Sequence, residues 1–261
     1  MNAPVTDRGG QAIRADNLVK SFGQVTALNG VSMQVARGET LGILGDNGAG
    51  KSTLIKILTG FHQPDSGEIY VDGGPVALAS VGDARAFGIE CVYQDLALVN
   101  GLSIYHNLFL NRELLRPGIG PFRLLDHREM RRRAAAALAD IGIAVASVDL
   151  DVGSLSGGQR QAIAVARAVA SDARILLLDE PLAAMGAREA RLIIGLIERL
   201  KARGDIAIVM IAHNYAQTLE ICDRIMLMQH GEVTYESATA QTSAEELLEI
   251  VRREYRAART A

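Results

Sequence analysis

Residues Gly45-Asp46-Asn47-Gly48-Ala49-Gly50-Lys51-Ser52 follow the spacing G-x-x-x-x-G-K-[ST] of a phosphate-binding loop. The chemistry follows from the residue types. Gly45, Gly48 and Gly50 let consecutive backbone N–H groups, with those of Asn47 and Ala49, converge on phosphate oxygens, and a helix starting at Lys51 adds the positive end of its dipole. Lys51 would neutralise charge on the β- and γ-phosphates, Ser52 would offer a hydroxyl to Mg²⁺, and Thr53 closes the set of loop contacts. The chain has four lysines (20, 51, 56 and 201) against twenty-three arginines, so a lysine in this loop is not surface decoration.

Two further segments carry chemistry. Ile175-Leu176-Leu177-Leu178-Asp179-Glu180-Pro181 is an apolar strand ending in carboxylates. Beside a phosphate loop, Asp179 suits the metal shell and Glu180 suits polarisation of an attacking water; without that loop, the pair would read equally well as a strand-end cap. Leu155-Ser156-Gly157-Gly158-Gln159-Arg160-Gln161 opens an alanine-rich helical stretch. Ser156 is its expected N-cap, and the two glycines permit close backbone approach. This makes either a second anion-binding helix terminus or a plain capped helix.

The elements that must position these residues are legible from periodicity. Ile13–Leu18, Val31–Val35, Thr40–Leu44, Glu68–Val71 and Ile89–Tyr93 read as strands, and Lys51–Leu58 reads as a helix closed by Gly60. Ile175–Leu178 and Ile206–Ile211 are continuous apolar runs of the kind that parallel sheets bury on both faces. Arg188–Leu200 and Gln159–Val169 have helical spacing. Arg224–Met228 and Glu232–Tyr235, around His230-Gly231, form an expected antiparallel hairpin. Between about 95 and 150 the pattern turns helical, with an expected capping box from Asp126 to Glu129. A last amphipathic helix, Ser243–Arg256, has its own box from Ser243 to Glu246.

Composition limits the alternatives. The 261 residues carry a net charge of −3 with 49% hydrophobic side chains, which gives no electrostatic footprint for nucleic acid. No apolar run reaches the length of a membrane span, and the first ten residues lack the charged start and apolar stretch of a secretory signal. Cys91 and Cys222 fit no metal or redox spacing.

The order of phosphate loop, Leu155-Ser156-Gly157-Gly158-Gln159 and Leu176-Leu177-Leu178-Asp179-Glu180-Pro181 resembles the ATP-binding cassette (ABC) ATPases. The likeness implies an α/β fold: a P-loop NTPase core with an antiparallel β subdomain and an inserted α-helical subdomain. It places an ABC ATPase domain at 11–236, the helical insertion at about 95–155, and a C-terminal helix and tail at 237–261. Further positions carry over one by one. Phe22 falls where the family stacks an aromatic on adenine, Gln94 where a glutamine touches metal and water, and His213 where a histidine meets the γ-phosphate. Taken by themselves, the three read as a core aromatic, a strand-end cap and a structural histidine. The metal set implied is Ser52, Gln94 and Asp179, and the catalytic set is Glu180, His213 and Gln94. Ser156, Gly157, Gly158 and Gln159 would close over ATP held by a second copy, which implies a head-to-tail homodimer with ATP and Mg²⁺.

The chain departs from the family at Leu182, usually polar, and at Gly186, usually an aspartate that couples the two sites. Gly186 recurs in the ATPases of bacterial monosaccharide importers, which also resemble this chain over Val92–Leu98 and Gly60–Gly67. That subgroup implies integral membrane permease subunits, an indirect periplasmic solute-binding protein, and a peripheral position on the cytoplasmic face of the inner membrane. An importer of another small solute, a soluble cassette ATPase and an ATP-binding regulatory module remain as alternatives. The apolar residues Leu96, Leu98, Val99, Leu102, Ile104, Leu108, Phe109 and Leu110 either expose a docking patch for a membrane subunit or pack as a local helix pair. Lys56 and Arg131–Arg133 read as solvated helical faces.

Overall fold

A computed structural model describes residues 10–116, 124–183 and 185–258. Residues 1–9, 117–123, Ala184 and the tail beyond 258 lie outside the described residues. The apolar runs pair as strands β3 (Thr40–Leu44), β6 (Ile89–Val92), β7 (Ile175–Asp179), β8 (Ala207–Ile211), β9 (Arg224–Gln229) and β10 (Glu232–Ala238). They form one six-stranded sheet in the order β10-β9-β3-β8-β7-β6. All neighbours are parallel except β9 and β10, which form the expected hairpin.

Successive side chains on these strands point to opposite faces. Leu41, Ile43, Ile175, Leu177, Val209 and Ile211 enter one fully buried cluster, while Leu176, Leu178, Ile208 and Met210 enter another. The first face is covered by α1 (Lys51–Leu58) and by a second sheet. That sheet is antiparallel, ordered β2-β1-β4-β5, from β1 (Gln11–Phe22), β2 (Val25–Ala36), β4 (Ser66–Val71) and β5 (Gly74–Val76). The short helix α2 (Val81–Ala86) leads from β5 to β6. The opposite face is covered by α3 (Ile104–Leu108), α4 (His127–Asp140), α5 (Gly157–Val169) and α6 (Ala187–Arg203). Helices α7 (Tyr215–Ile221) and α8 (Ala244–Ala258) pack beside the β9–β10 end.

Several expectations change on contact with the structure. The Asp126 carboxylate does accept from the Glu129 N–H, but Glu129 does not reach back; its carboxylate is taken by Arg132 and Arg133. Ser243 likewise caps the Glu246 N–H, whereas the Glu246 carboxylate accepts from the Thr242 hydroxyl. In both cases a nearby donor on the exposed face outcompetes a backbone N–H. β6 stops at Val92, and the Tyr93 hydroxyl turns aside to Thr59, 3.1 Å away. Both cysteines are free, and burial raises the Cys222 thiol to about 12.

The apolar stretch 96–110 mostly packs locally. Ile104 and Leu108 are buried, Leu96, Leu98 and Phe109 lie against the same cluster, and Val99 is 42% exposed. Asn107 organises this stretch from a fully buried position. Its Oδ1 accepts from the Val99 N–H at 2.8 Å, and its Nδ2 donates to the carbonyls of Val99, Leu102 and Ser103 at 3.1–3.2 Å. Replacement by an apolar group of similar volume strands those backbone groups without water. Asn107→Leu is therefore expected to lower stability by about 2–4 kcal/mol in equilibrium urea unfolding.

Candidate functional site

Parallel pairing brings the carboxyl ends of β3, β6, β7 and β8 to one edge of the sheet, the edge where open α/β sheets bind ligands. The phosphate loop follows β3, Gln94 follows β6, Glu180 follows β7 and His213 follows β8. The chemistry-bearing residues far apart in sequence thus share one edge because their strands share one register.

The loop itself needs its glycines. Gly45 has φ +144°, and a Cβ there would lie 2.2 Å from the Met228 carbonyl oxygen. Gly50 caps α1 with no side-chain bond, so the first N–H groups of that helix keep their dipole end available. Lys51 is only 6% exposed, and its ammonium donates to the carbonyls of Gly45 (2.6 Å) and Asp46 (2.8 Å). Burial pulls its pKa below the usual lysine range, against the raising pull of Glu180, Asp46 and Asp179. Asn47, Gly48 and Ser52 are exposed, Ala49 is buried and Thr53 half-buried.

Asp179 ends β7 and is half-buried; burial first, then the Glu180 charge, pushes its carboxyl above the ordinary range, opposed by Lys51, Lys56 and His213. Glu180 adopts φ +52°, held by its N–H on the Ile211 carbonyl at 3.1 Å. From that backbone its Oε1 meets His213 Nε2 at 2.6 Å, with the two side chains 22% and 42% exposed. This is a carboxylate aimed by a histidine at the open edge, suited to taking a proton or orienting water. Gln94 is exposed two residues beyond β6.

The segment Ser156–Gln159 has the full capping box: the Ser156 hydroxyl accepts from the Gln159 N–H, and the Gln159 side chain accepts from the Ser156 N–H. Its other contacts run to α6. The Glu189 carboxylate accepts from the Gly158 N–H at 3.2 Å and also from the Ser156 hydroxyl and the Gly186 N–H, which together depress its pKa. Glu189 thus joins the N-termini of α5 and α6. The sequence carried half a signal for it, a glutamate three residues after the Gly186 cap, but nothing that linked it to Gly158. Leu182 is half-buried against the apolar cluster beneath α5 and α6, which accounts for an apolar side chain there. Phe22 lies apart, at the end of β1, 46% exposed and edge-on to His62.

The residues fit a triphosphate with a divalent cation. The buried ammonium satisfies itself on carbonyls of its own loop, bonds that phosphate oxygens would replace, and a desolvated carboxyl waits beside it. Among the described residues no group of three or more His, Cys, Asp or Glu could hold a metal alone, so a cation here would take ligands from the phosphates as well. The cost of burying Asp179 gives a test. A carboxyl whose folded pKa is raised destabilises the fold once pH exceeds its unfolded value. Asp179→Asn is therefore expected to melt above the parent at neutral pH without nucleotide, with the gap closing in acid.

The family described as ABC transporter matches residues 28–183. The chain is 44% identical over 232 residues to the xylose/arabinose import ATP-binding protein XylG of Sulfolobus acidocaldarius, covering 89% of this chain and 90% of that one. It is 44% identical over 222 residues to the fructose import ATP-binding protein FrcA of Rhizobium meliloti, covering 84% and 85%. Against the ribose import ATP-binding protein RbsA 2 of Burkholderia cenocepacia it is 38% identical over 239 residues, covering 92% of this chain but 46% of that longer one. A nucleotide-free ATP-binding cassette from an ABC transporter superposes with a TM-score of 0.78 at 27% identity, covering 93% of this chain and 95% of that one. A dimeric cassette bound to ADP and phosphate superposes with a TM-score of 0.71 at 26% identity, covering 87% and 98%. With the fold shared with these cassettes and the family match spanning both the phosphate loop and the carboxylate-ended strand, the chain belongs to the ABC transporter family, as one of its ATP-hydrolysing subunits.

Proposed function

We propose that this chain hydrolyses ATP to power import of a monosaccharide through membrane permease subunits, working as a head-to-tail pair. The hydrogen bond between Glu180 and His213, set beside buried Lys51 and Asp179, carries the hydrolytic reading. The sugar rests on relatives named for xylose/arabinose, fructose and ribose import. No described helix is long and apolar enough to cross a membrane; the reading assigns the permease to other chains and puts this subunit on the cytoplasmic face of the inner membrane. Val99, Leu115, Leu124 and Leu150 are exposed apolar residues of the region between β6 and α5, which supports docking there.

The residues divide the work as follows. Lys51 leaves the carbonyls of its own loop for phosphate oxygens, while the N–H groups of Gly48, Gly50 and the start of α1 hold the rest of the phosphate. Mg²⁺, when bound, neutralises phosphate charge, and Ser52, Gln94 and Asp179 are the residues that would hold it. Glu180 orients water for in-line attack and takes its proton, with His213 fixing the carboxylate. Ser156, Gly157, Gly158 and Gln159 reach the phosphate of a second copy. That reading is supported by the dimeric cassette and by the Gly158 N–H, which already holds a carboxylate oxygen of Glu189. Because Glu189 already sits on the Gly158 N–H, closure exchanges one anion for another.

Glu180→Gln keeps the shape and removes the base, so turnover is expected to fall by roughly 10²-fold or more while an ATP-bound dimer accumulates in gel filtration. Hydrolysis at the parent rate would remove Glu180 from the role. For transport, uptake of labelled xylose, fructose and ribose should be compared in cells lacking this chain and cells given it back. One sugar should depend on the parent chain and fail with Glu180→Gln; unchanged uptake of all three would refute monosaccharide import.

A further inference from the structure

The aromatic residues at the end of β1 and after α1 form a chain of rings, of which the nucleotide reading uses only Phe22. The His62 ring stands edge-on to Phe22, with centroids 5.2 Å apart and planes at 64°, and edge-on to Phe61 at 5.0 Å and 69°. Its backbone is fixed to the end of the phosphate-loop helix, with the His62 N–H donating to the Lys56 carbonyl at 3.0 Å. Three residues later, Asp65 fastens the same turn to the strand that carries Phe22. Its N–H donates to the Val19 carbonyl at 2.8 Å, and its carboxylate accepts from the Ser21 N–H and the Lys20 ammonium, each at 2.7 Å. The β1–β2 hairpin also lies against the phosphate loop, since a Cβ on Gly50 would come within 2.5 Å of the Ala27 carbonyl oxygen.

We propose that His62 is a positioning residue for the nucleotide base: its imidazole braces the Phe22 ring, setting the plane on which a purine stacks. The inference deepens the ATP reading and rests on Phe22 being the stacking residue. An exposed phenyl beside a two-residue turn is free to rotate about its side-chain torsions; a ring held against it narrows that freedom before the base arrives, and the turn anchored by Lys56 and Asp65 keeps the brace in register with Lys51. Edge-to-face contact contributes directly as well, because the positive rim of one ring meets the negative face of the other. Phe22 remains 46% exposed despite the brace, leaving surface for a base.

Binding of ATP and of inorganic triphosphate, each measured by displacement of a fluorescent ATP analogue, tests the assignment. His62→Ala is expected to weaken ATP about fivefold, the scale of one aromatic edge contact, and to leave triphosphate, which has no base, unchanged. KM for ATP should rise with kcat intact, and His62→Phe should restore affinity through its ring. Phe22→Ala should weaken ATP too, and adding His62→Ala to it should cost nothing more, because the brace then has nothing to hold. Equal loss of ATP and triphosphate in His62→Ala would show a general loosening of α1 and overturn the proposal. So would unchanged ATP binding in His62→Ala where Phe22→Ala weakens it. Unchanged ATP binding in Phe22→Ala would overturn the stacking reading of Phe22, and the brace with it.

Discussion

The register of the parallel strands is the constraint on which the site depends. Ile43 pairs with Ile211, Asp179 with Ile211, and Leu178 with Val92, so β3, β8, β7 and β6 end level with one another. Because side chains alternate between two buried faces, a slip of one residue would turn each strand's apolar set onto the wrong cluster. Burial therefore holds the register, and the register holds the phosphate loop, Gln94, Glu180 and His213 along one edge. The antiparallel sheet is tied to that framework by Arg224, which is 7% exposed and donates from Nε to Glu39 at 2.8 Å while meeting Glu236 and the Gln34 carbonyl.

Within that edge, burial and charge oppose one another. Lys51 and Asp179 are both drawn toward their neutral forms by burial, and each is partly rescued by the other's charge. Lys51 rests on two carbonyls, and Glu189 rests on the Gly158 N–H. On the proposed function, association with phosphate in both places is an exchange of hydrogen bonds, and its net gain is modest. A site meant to release ADP and phosphate on every cycle benefits from that.

What the sequence revealed and what it concealed separate along a physical line. The helix Lys51–Leu58, the strand Thr40–Leu44 and the β9–β10 hairpin were legible because local signals agree there: glycines, apolar runs and turn residues point the same way. The site motifs were legible for the same reason, since each lies within eight consecutive residues. The capping boxes at Asp126 and Ser243 were half right, because Arg132, Arg133 and Thr242 compete for the glutamates. Of the two readings of 96–110, local packing takes most of the apolar residues because Asn107, a single buried amide, folds the loop onto α3, while Val99 stays exposed. Glu189 and His62 were missed altogether: their partners lie 31 and 40 residues away in sequence, at Gly158 and Phe22, beyond the reach of any local pattern.

The backbone at Glu180 has a consequence of another kind. A glutamate at φ +52° stands in a region that glycine enters freely and other residues enter at a cost of about 1–2 kcal/mol. On the role proposed for Glu180, folding stability and turnover thus pull this position in opposite directions: heat resistance alone would favour glycine at 180, and only the need for the carboxylate favours glutamate.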